Sequence, residues 1–149
     1  MYSMTKPITC AAMLKLVEEG RARLDDPLDA YLPEYRHMWV QDGEGLRQAK
    51  NSIRLVDLLS MTAGFDYNLY SPTLLRLARE TPAYALRAFA RALSEEPLGF
   101  EPGTRWRYSL CHDVLAAVIE VVSGMRFGEY LRRALFEPLG MKDTCFFLS

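Results

Sequence analysis

A mainly α chain with at most short strands is what these 149 residues predict, on three observations. Apolar residues recur at helical spacing through several long stretches. Each stretch is bounded by helix punctuation, with a Gly after it or a Ser-Pro or Thr-Pro pair before it. Only one run, Thr144 to Leu148, is rich enough in β-formers to read as a convincing strand.

The elements follow in order. Ser3 to Glu19 is the first predicted helix: Ile8, Ala11, Ala12, Leu14, Leu16 and Val17 form a broad apolar face, and Gly20 stops it. Pro7 lies in or near the first turn, where a missing N–H costs least. Leu24-Asp25-Asp26-Pro27-Leu28 reads as a turn that opens a short helix, ended by Pro33, because Asp caps and Pro favours the first helical position. Residues 36–52 are polar, carry Gly43 and Gly45 and have no period, so an exposed loop is expected. A compact helix over 54–62 is closed by Gly64. Ser71-Pro72 and Thr81-Pro82 each open a helix, the second with Ala85, Leu86, Phe89, Ala90 and Leu93 along one side. A Pro/Gly-rich loop over 96–105 then delivers Trp106, Tyr108 and Ser109. The most apolar helix runs from about Leu110 to Val122 and stops at Ser123-Gly124. A shorter helix near Phe127 to Phe136 follows.

Composition limits the function. A chain of this length with 50% hydrophobic residues makes one domain with a real core. Its 18 basic and 19 acidic residues give a net charge of −1 without long runs, which offers no positive field for a phosphate backbone and argues against a nucleic-acid partner. No apolar run approaches the roughly 20 residues of a spanning helix, Lys15 and Glu18 interrupting the best early candidate. Lys6 and Pro7 stand where the apolar core of a signal peptide would begin. A cytoplasmic protein is therefore expected if residue 1 is the natural start, and upstream residues would otherwise decide. Cys10, Cys111 and Cys145 are an odd set without C-x-x-C spacing, expected as buried small hydrophobes rather than a disulfide framework or zinc site. No cofactor or metal is expected.

Chemistry enters with Ser3-Met4-Thr5-Lys6. Residues three apart share one helix face with Cβ atoms about 5–6 Å apart, so the Lys6 amine can reach the Ser3 hydroxyl. A serine hydroxyl is a weak nucleophile until an adjacent base takes its proton. The positive end of the helix dipole beside Ser3 favours a developing oxyanion. The same four residues also fit an N-cap Ser followed by a solvated Lys. Tyr108 is either a phenol available for proton transfer or an aromatic packed against Trp106. A Ser-His-Asp triad would have to use His37 or His112. His112 is the better placed because it is near Tyr108, but no G-x-S-x-G elbow surrounds any serine.

Four ordered segments carry a resemblance. Ser3-Met4-Thr5-Lys6-Pro7-Ile8-Thr9, Leu58-Leu59-Ser60-Met61-Thr62-Ala63-Gly64-Phe65, Pro102-Gly103-Thr104-Arg105-Trp106-Arg107-Tyr108-Ser109 and Pro138-Leu139-Gly140-Met141-Lys142-Asp143-Thr144 are similar to successive landmarks of the serine β-lactamase-related family. That family includes class C β-lactamases, D-Ala-D-Ala carboxypeptidases and esterases of the same fold. The resemblance covers essentially the whole chain. It implies that residues 1–149 are a partial serine hydrolase domain, the helical portion of a β-lactamase/transpeptidase-like α+β fold. It also implies Ser3 as the acylated nucleophile, Lys6 as its base partner and Tyr108 as the phenol that shuttles the proton.

One departure narrows the expected substrate. Where β-lactamases and carboxypeptidases of the family usually have Tyr-x-Asn, this chain reads Tyr108-Ser109-Leu110, followed by Asp113, a pattern more similar to the esterase branch. A small ester or amide is therefore expected, in preference to a penicillin. The family's third motif, a Lys-Thr-Gly or His/Trp-x-Gly strand that also supplies an oxyanion donor, has no match here, and losing one such donor costs on the order of 10²–10³ in rate. The 149 residues alone are thus expected to be nearly inactive and to self-associate through an exposed face of the first helix. A non-catalytic helical interaction module, or a truncated remnant of such a hydrolase, stays open as the alternative.

Overall fold

Lys15, Leu16 and Val17 set the end of the first helix through their carbonyls, together with the glycine that follows. In the structure, a computed structural model that describes residues 2–43, 45–81 and 86–145, α1 spans Thr5–Glu18. Gly20, at φ +70°, donates its N–H to Val17 O and Arg21 donates to Leu16 O, both at 3.0 Å, a Schellman stop. Ahead of α1, Tyr2–Met4 form a 3-10 turn. The expected helix from Ser3 to Glu19 is therefore present as two parts, the first wound more tightly.

The core is organised by the most apolar helix. In chain order the elements are α1, the strands β1 (Trp39–Asp42) and β2 (Gly45–Gln48), α2 (Leu55–Leu59), α3 (Pro72–Glu80), α4 (Leu86–Leu93), α5 (Cys111–Ser123) and α6 (Phe127–Leu131). α5 buries Val114, Leu115, Ala116, Ala117, Val118 and Ile119, so it is apolar on nearly every side and has to be central. α1, α2, α4 and α6 all pack on it. α1 turns Ala12, Met13 and Leu16 inward. α3 starts as its Ser-Pro pair predicts, with Ser71 Oγ accepting from Leu74 N at 3.3 Å. Tyr35, buried, donates its hydroxyl to Ala90 O at 2.6 Å and meets Phe65 edge-on at 5.8 Å, which moors α4. Among the described residues no helix is long and apolar enough to cross a membrane.

Several boundaries differ from those predicted. The polar stretch expected as a loop over 36–52 holds the antiparallel hairpin, with Trp39 opposite Gln48 and Asp42 opposite Gly45. Its stability comes from a distant segment: Leu98 donates to Trp39 O at 2.7 Å and accepts from Gln41 N at 2.8 Å. Arg47 meanwhile bonds Asp42 and Glu101. Local periodicity cannot reveal partners so far along the chain. Pro33 opens a second 3-10 turn, Pro33–Tyr35, after the one at Leu28–Ala30. The helix expected to Phe136 changes at Leu131 to a π-helical turn over Arg132–Phe136. Thr144 and Cys145 are described and lie outside any strand, whereas the rest of the expected strand, 146–148, lies outside the described residues, as do Pro82 and Ala85.

A seam of backbone hydrogen bonds positions the candidate site. Gly99 donates to Gly64 O (2.8 Å), Gly103 to Thr62 O (2.9 Å), Arg107 to Met61 O (3.1 Å) and Leu110 to Asp66 O (3.3 Å). The segment 61–66 thus runs along 99–110 and fixes the loop that carries Tyr108. Asp57, buried, fastens the near end: its carboxylate accepts from Arg54 N at 2.8 Å and from the Thr62 hydroxyl at 3.2 Å. Gly64 has φ +97°, and a Cβ there would lie 2.5 Å from Phe100 O. Only glycine fits. Gly64→Ala is expected to cost on the order of 1–3 kcal/mol or more, while Gly43→Ala, where a Cβ meets nothing within 4 Å, should be nearly neutral. Urea melts followed by circular dichroism measure both, and equal midpoints for the two variants would contradict the seam.

Candidate active site

Ser3 and Lys6 lie where the 3-10 turn passes into α1. In a 3-10 turn side chains three apart are nearly eclipsed, so the tighter winding brings this pair together. Lys6 Nζ donates to Ser3 Oγ at 3.4 Å. The closer partner of Ser3 comes from far along the chain: Tyr108 Oη lies 2.5 Å from Ser3 Oγ, 105 residues away. The structure therefore brings together all three residues singled out from the sequence.

Electrostatics follow from this contact. The Tyr108 phenol is held below its ordinary value, chiefly by hydrogen bonding with the Lys6 ammonium and then by the Ser3 hydroxyl. Asp113, in the first turn of α5, opposes this slightly. Burial raises the Asp113 carboxyl, and the charge of Lys6 pulls the other way. Met4 to Glu18 run away from Ser3, which leaves the amino end of α1, with its partial positive charge, beside the serine oxygen.

The histidines are placed elsewhere. His112 Nε2 sits 3.0 Å from Cys10 Sγ, so its ring bridges α5 to α1, and its buried Nδ1 has no partner. Burial, then the charge of Lys6, lowers the His112 imidazole. His37 is exposed and meets Gln48 on the hairpin at 3.3 Å. Neither histidine is joined to a serine, so the geometry assembles no triad among the described residues. Of the cysteines expected in the core, Cys111 is buried, with its thiol pushed up to about 11, Cys10 is half-buried and Cys145 is exposed. Among the described residues no group of three or more His, Cys, Asp and Glu could hold a metal ion.

Tyr108 does not pack on Trp106, which is 67% exposed. Its neighbour is Tyr67, with ring centroids 5.1 Å apart at 56°. Lys6 Nζ stands 4.8 Å from the Tyr108 centroid and 5.7 Å from that of Tyr67. Sequence reasoning missed Tyr67, and the one available signal was its place in the polar-aromatic run Asp66-Tyr67-Asn68-Leu69-Tyr70 directly after the Gly64 turn. A cavity of about 820 Å³ opens beside Ser3 and Lys6, and Tyr67, Leu69, Leu86, Leu110, His112 and Asp113 are among the residues that line it.

Comparison with known proteins identifies the family. The chain is 34% identical over 156 residues to esterase EstB of Burkholderia gladioli, covering 100% of this chain and 38% of EstB. Among solved structures it is similar to EstCE1, a hydrolase with promiscuous acyltransferase activity (TM-score 0.75, 31% identity, 93% of this chain and 36% of that one). It is also similar to a penicillin-binding protein from Bacillus halodurans (TM-score 0.73, 25% identity, 95% and 40%). The chain thus spans about 38% of the length of this curated relative, which accords with a helical portion of the β-lactamase fold. A family model for beta-lactamases matches residues 1–149, and the chain belongs to that family.

Proposed function

We propose that the protein carrying this segment is a serine hydrolase that forms an acyl-enzyme on Ser3 from a small ester or amide. The observation that carries the reading is the 2.5 Å contact between Ser3 Oγ and Tyr108 Oη, with Lys6 Nζ 3.4 Å from the same serine oxygen. Tyr108, reacting as the phenolate that Lys6 and Ser3 favour, takes the Ser3 proton as Oγ attacks the substrate carbonyl carbon. The carbonyl oxygen becomes an oxyanion beside the amino end of α1. Collapse breaks the bond to the leaving group, which takes the proton back from Tyr108. Water repeats the cycle and releases the acid. Lys6 acts here as the fixed cation that keeps the phenol acidic, and the proton goes to the nearer oxygen.

Esters are preferred over penicillins on this reading. Leu110 stands where an amide side chain would bind a β-lactam or peptide, and it is 2% exposed, committed to the core. The resemblance to EstB and EstCE1 supports the same choice. For the whole protein, p-nitrophenyl esters of short acids should be turned over and benzylpenicillin barely, and efficient penicillin hydrolysis would refute the preference.

Within the 149-residue chain slow acylation is expected. Incubation with a fluorophosphonate and intact-mass measurement should give an adduct that is absent in Ser3→Ala and slowed by roughly 10²–10⁴ in Tyr108→Phe. An adduct that survives Ser3→Ala would refute the assignment. A complete protein in which Ser3 never reacts would favour the interaction module. Labelling should rise with pH as the phenol ionises, below the range of an ordinary tyrosine, and Lys6→Ala should move that rise to higher pH. Met4, just before α1, and Leu14 on it are 68% and 47% exposed, so self-association of the chain is also expected. Sedimentation velocity giving a clean monomer would contradict it.

A further inference from the structure

We propose that Tyr67 is a positioning residue for the site, its ring forming with that of Tyr108 an aromatic cleft that holds the Lys6 ammonium beside the Ser3 and Tyr108 oxygens. This rests on the hydrolase reading above and adds to it a residue outside the Ser3, Lys6 and Tyr108 set. Three distances carry it. Lys6 Nζ is 4.8 Å from one ring centroid and 5.7 Å from the other, both inside the roughly 6 Å within which a ring face attracts a cation. The two rings are themselves 5.1 Å apart and tilted at 56°, so they form the two walls of a cleft.

The exposure of Tyr67 points away from a packing role. A core aromatic would be buried, whereas Tyr67 is 44% exposed. Among the described residues its hydroxyl has no hydrogen-bond partner, so the ring is the part in use. The mount is rigid. Tyr67 N–H donates to Asp66 Oδ1 at 2.8 Å, and Tyr70 N–H donates to Asn68 Oδ1 at 3.0 Å. Asp66 O accepts the N–H of Leu110, two residues after Tyr108. Tyr67 and Tyr108 are therefore carried on backbone segments joined by a hydrogen bond.

Lys6 has a flexible four-carbon stem, and holding its head in one place costs rotamer freedom. Its contact with Ser3 is long, at 3.4 Å. A second ring opposite Tyr108 limits where the ammonium can go. The consequence falls on the Tyr108 phenol, which Lys6 holds down most strongly. The charged and titratable groups facing this phenol are Lys6 from α1, Asp113 from α5 and Tyr67 from the loop before α3.

The test uses the 149-residue chain labelled with ¹³Cζ-tyrosine, the Tyr108 resonance being assigned by its loss in Tyr108→Phe. Lys6→Ala and Tyr67→Leu should both move the Tyr108 titration to higher pH, the second by less, and Tyr67→Phe should leave it in place. In parallel, the rate of fluorophosphonate labelling near pH 8 should fall roughly two- to fivefold in Tyr67→Leu, the equivalent of one exposed cation–π contact, and recover in Tyr67→Phe. If Lys6→Ala moves the titration and Tyr67→Leu does not, the role of Tyr67 is refuted and the Lys6 and Tyr108 pairing stands. If neither moves it, both fall. If Tyr67→Phe behaves as Tyr67→Leu, the hydroxyl is what matters and the ring cleft is refuted.

Discussion

The site depends on the backbone seam between residues 61–66 and 99–110. Tyr108 sits in a Pro/Gly-rich loop with no regular structure of its own, and such a loop could not hold a phenol within hydrogen-bonding distance of a serine on another element. Four main-chain hydrogen bonds remove that freedom. They are anchored at one end by the buried carboxylate of Asp57 and at the other by the start of α5. The cost is a constrained backbone. Met61 adopts φ +59°, unusual for a side chain of its size, and Gly64 adopts φ +97° against Phe100 O. Strain of this kind persists where neighbouring structure over-determines it, and the buried cluster of Met61, Ala63, Phe65 and Leu98 supplies that structure.

α5 links this seam to α1. Its first residues receive the loop that carries Tyr108, and its apolar body supports Ala12, Met13 and Leu16 on the inner face of α1. The Ser3 to Tyr108 contact is thus a meeting of two elements that share one packing partner. A rigid interior transmits position with little slack, so the spacing of the two oxygens is set by core volume as much as by the loop. The His112 to Cys10 contact crosses the same interface one turn further along α1 and adds a polar tie close to Lys6.

Much of this was legible in the sequence, for reasons that differ between elements. α5 and α1 announce themselves by apolar content and a terminal Gly, and α3 by Ser71-Pro72, because local geometry alone dictates those signals. The hairpin was not legible, since its strands are short and polar and draw stability from Leu98 and Glu101. Ser3 and Lys6 could be paired from spacing. Tyr108 could be placed with them only through the order of four motifs, because nothing in periodicity brings residue 108 to residue 3. Tyr67 had neither of these signals, only its place in the aromatic run after Gly64. Its relevance arises from tertiary proximity, and its half-exposed ring gives no core periodicity to detect.

On the proposed chemistry, the distribution of polar groups around Ser3 itself selects among substrates. An amide releases an amine that must be protonated as it leaves, so its cleavage relies on an acid well aligned with the departing nitrogen and on donors that hold the amide in register. An ester releases an alkoxide or phenoxide, a better leaving group that demands less of both. Here the proton carrier is a single phenol, and the position that could have offered a side-chain amide is occupied by Leu110, buried and tied by its N–H to Asp66 O. Leu69 and Leu86 line the same cavity as Leu110. On that proposal, a site with one mobile proton, one fixed cation and several apolar lining residues favours a substrate whose leaving group needs little assistance and whose acyl part gains by leaving water, conditions that an apolar ester would meet.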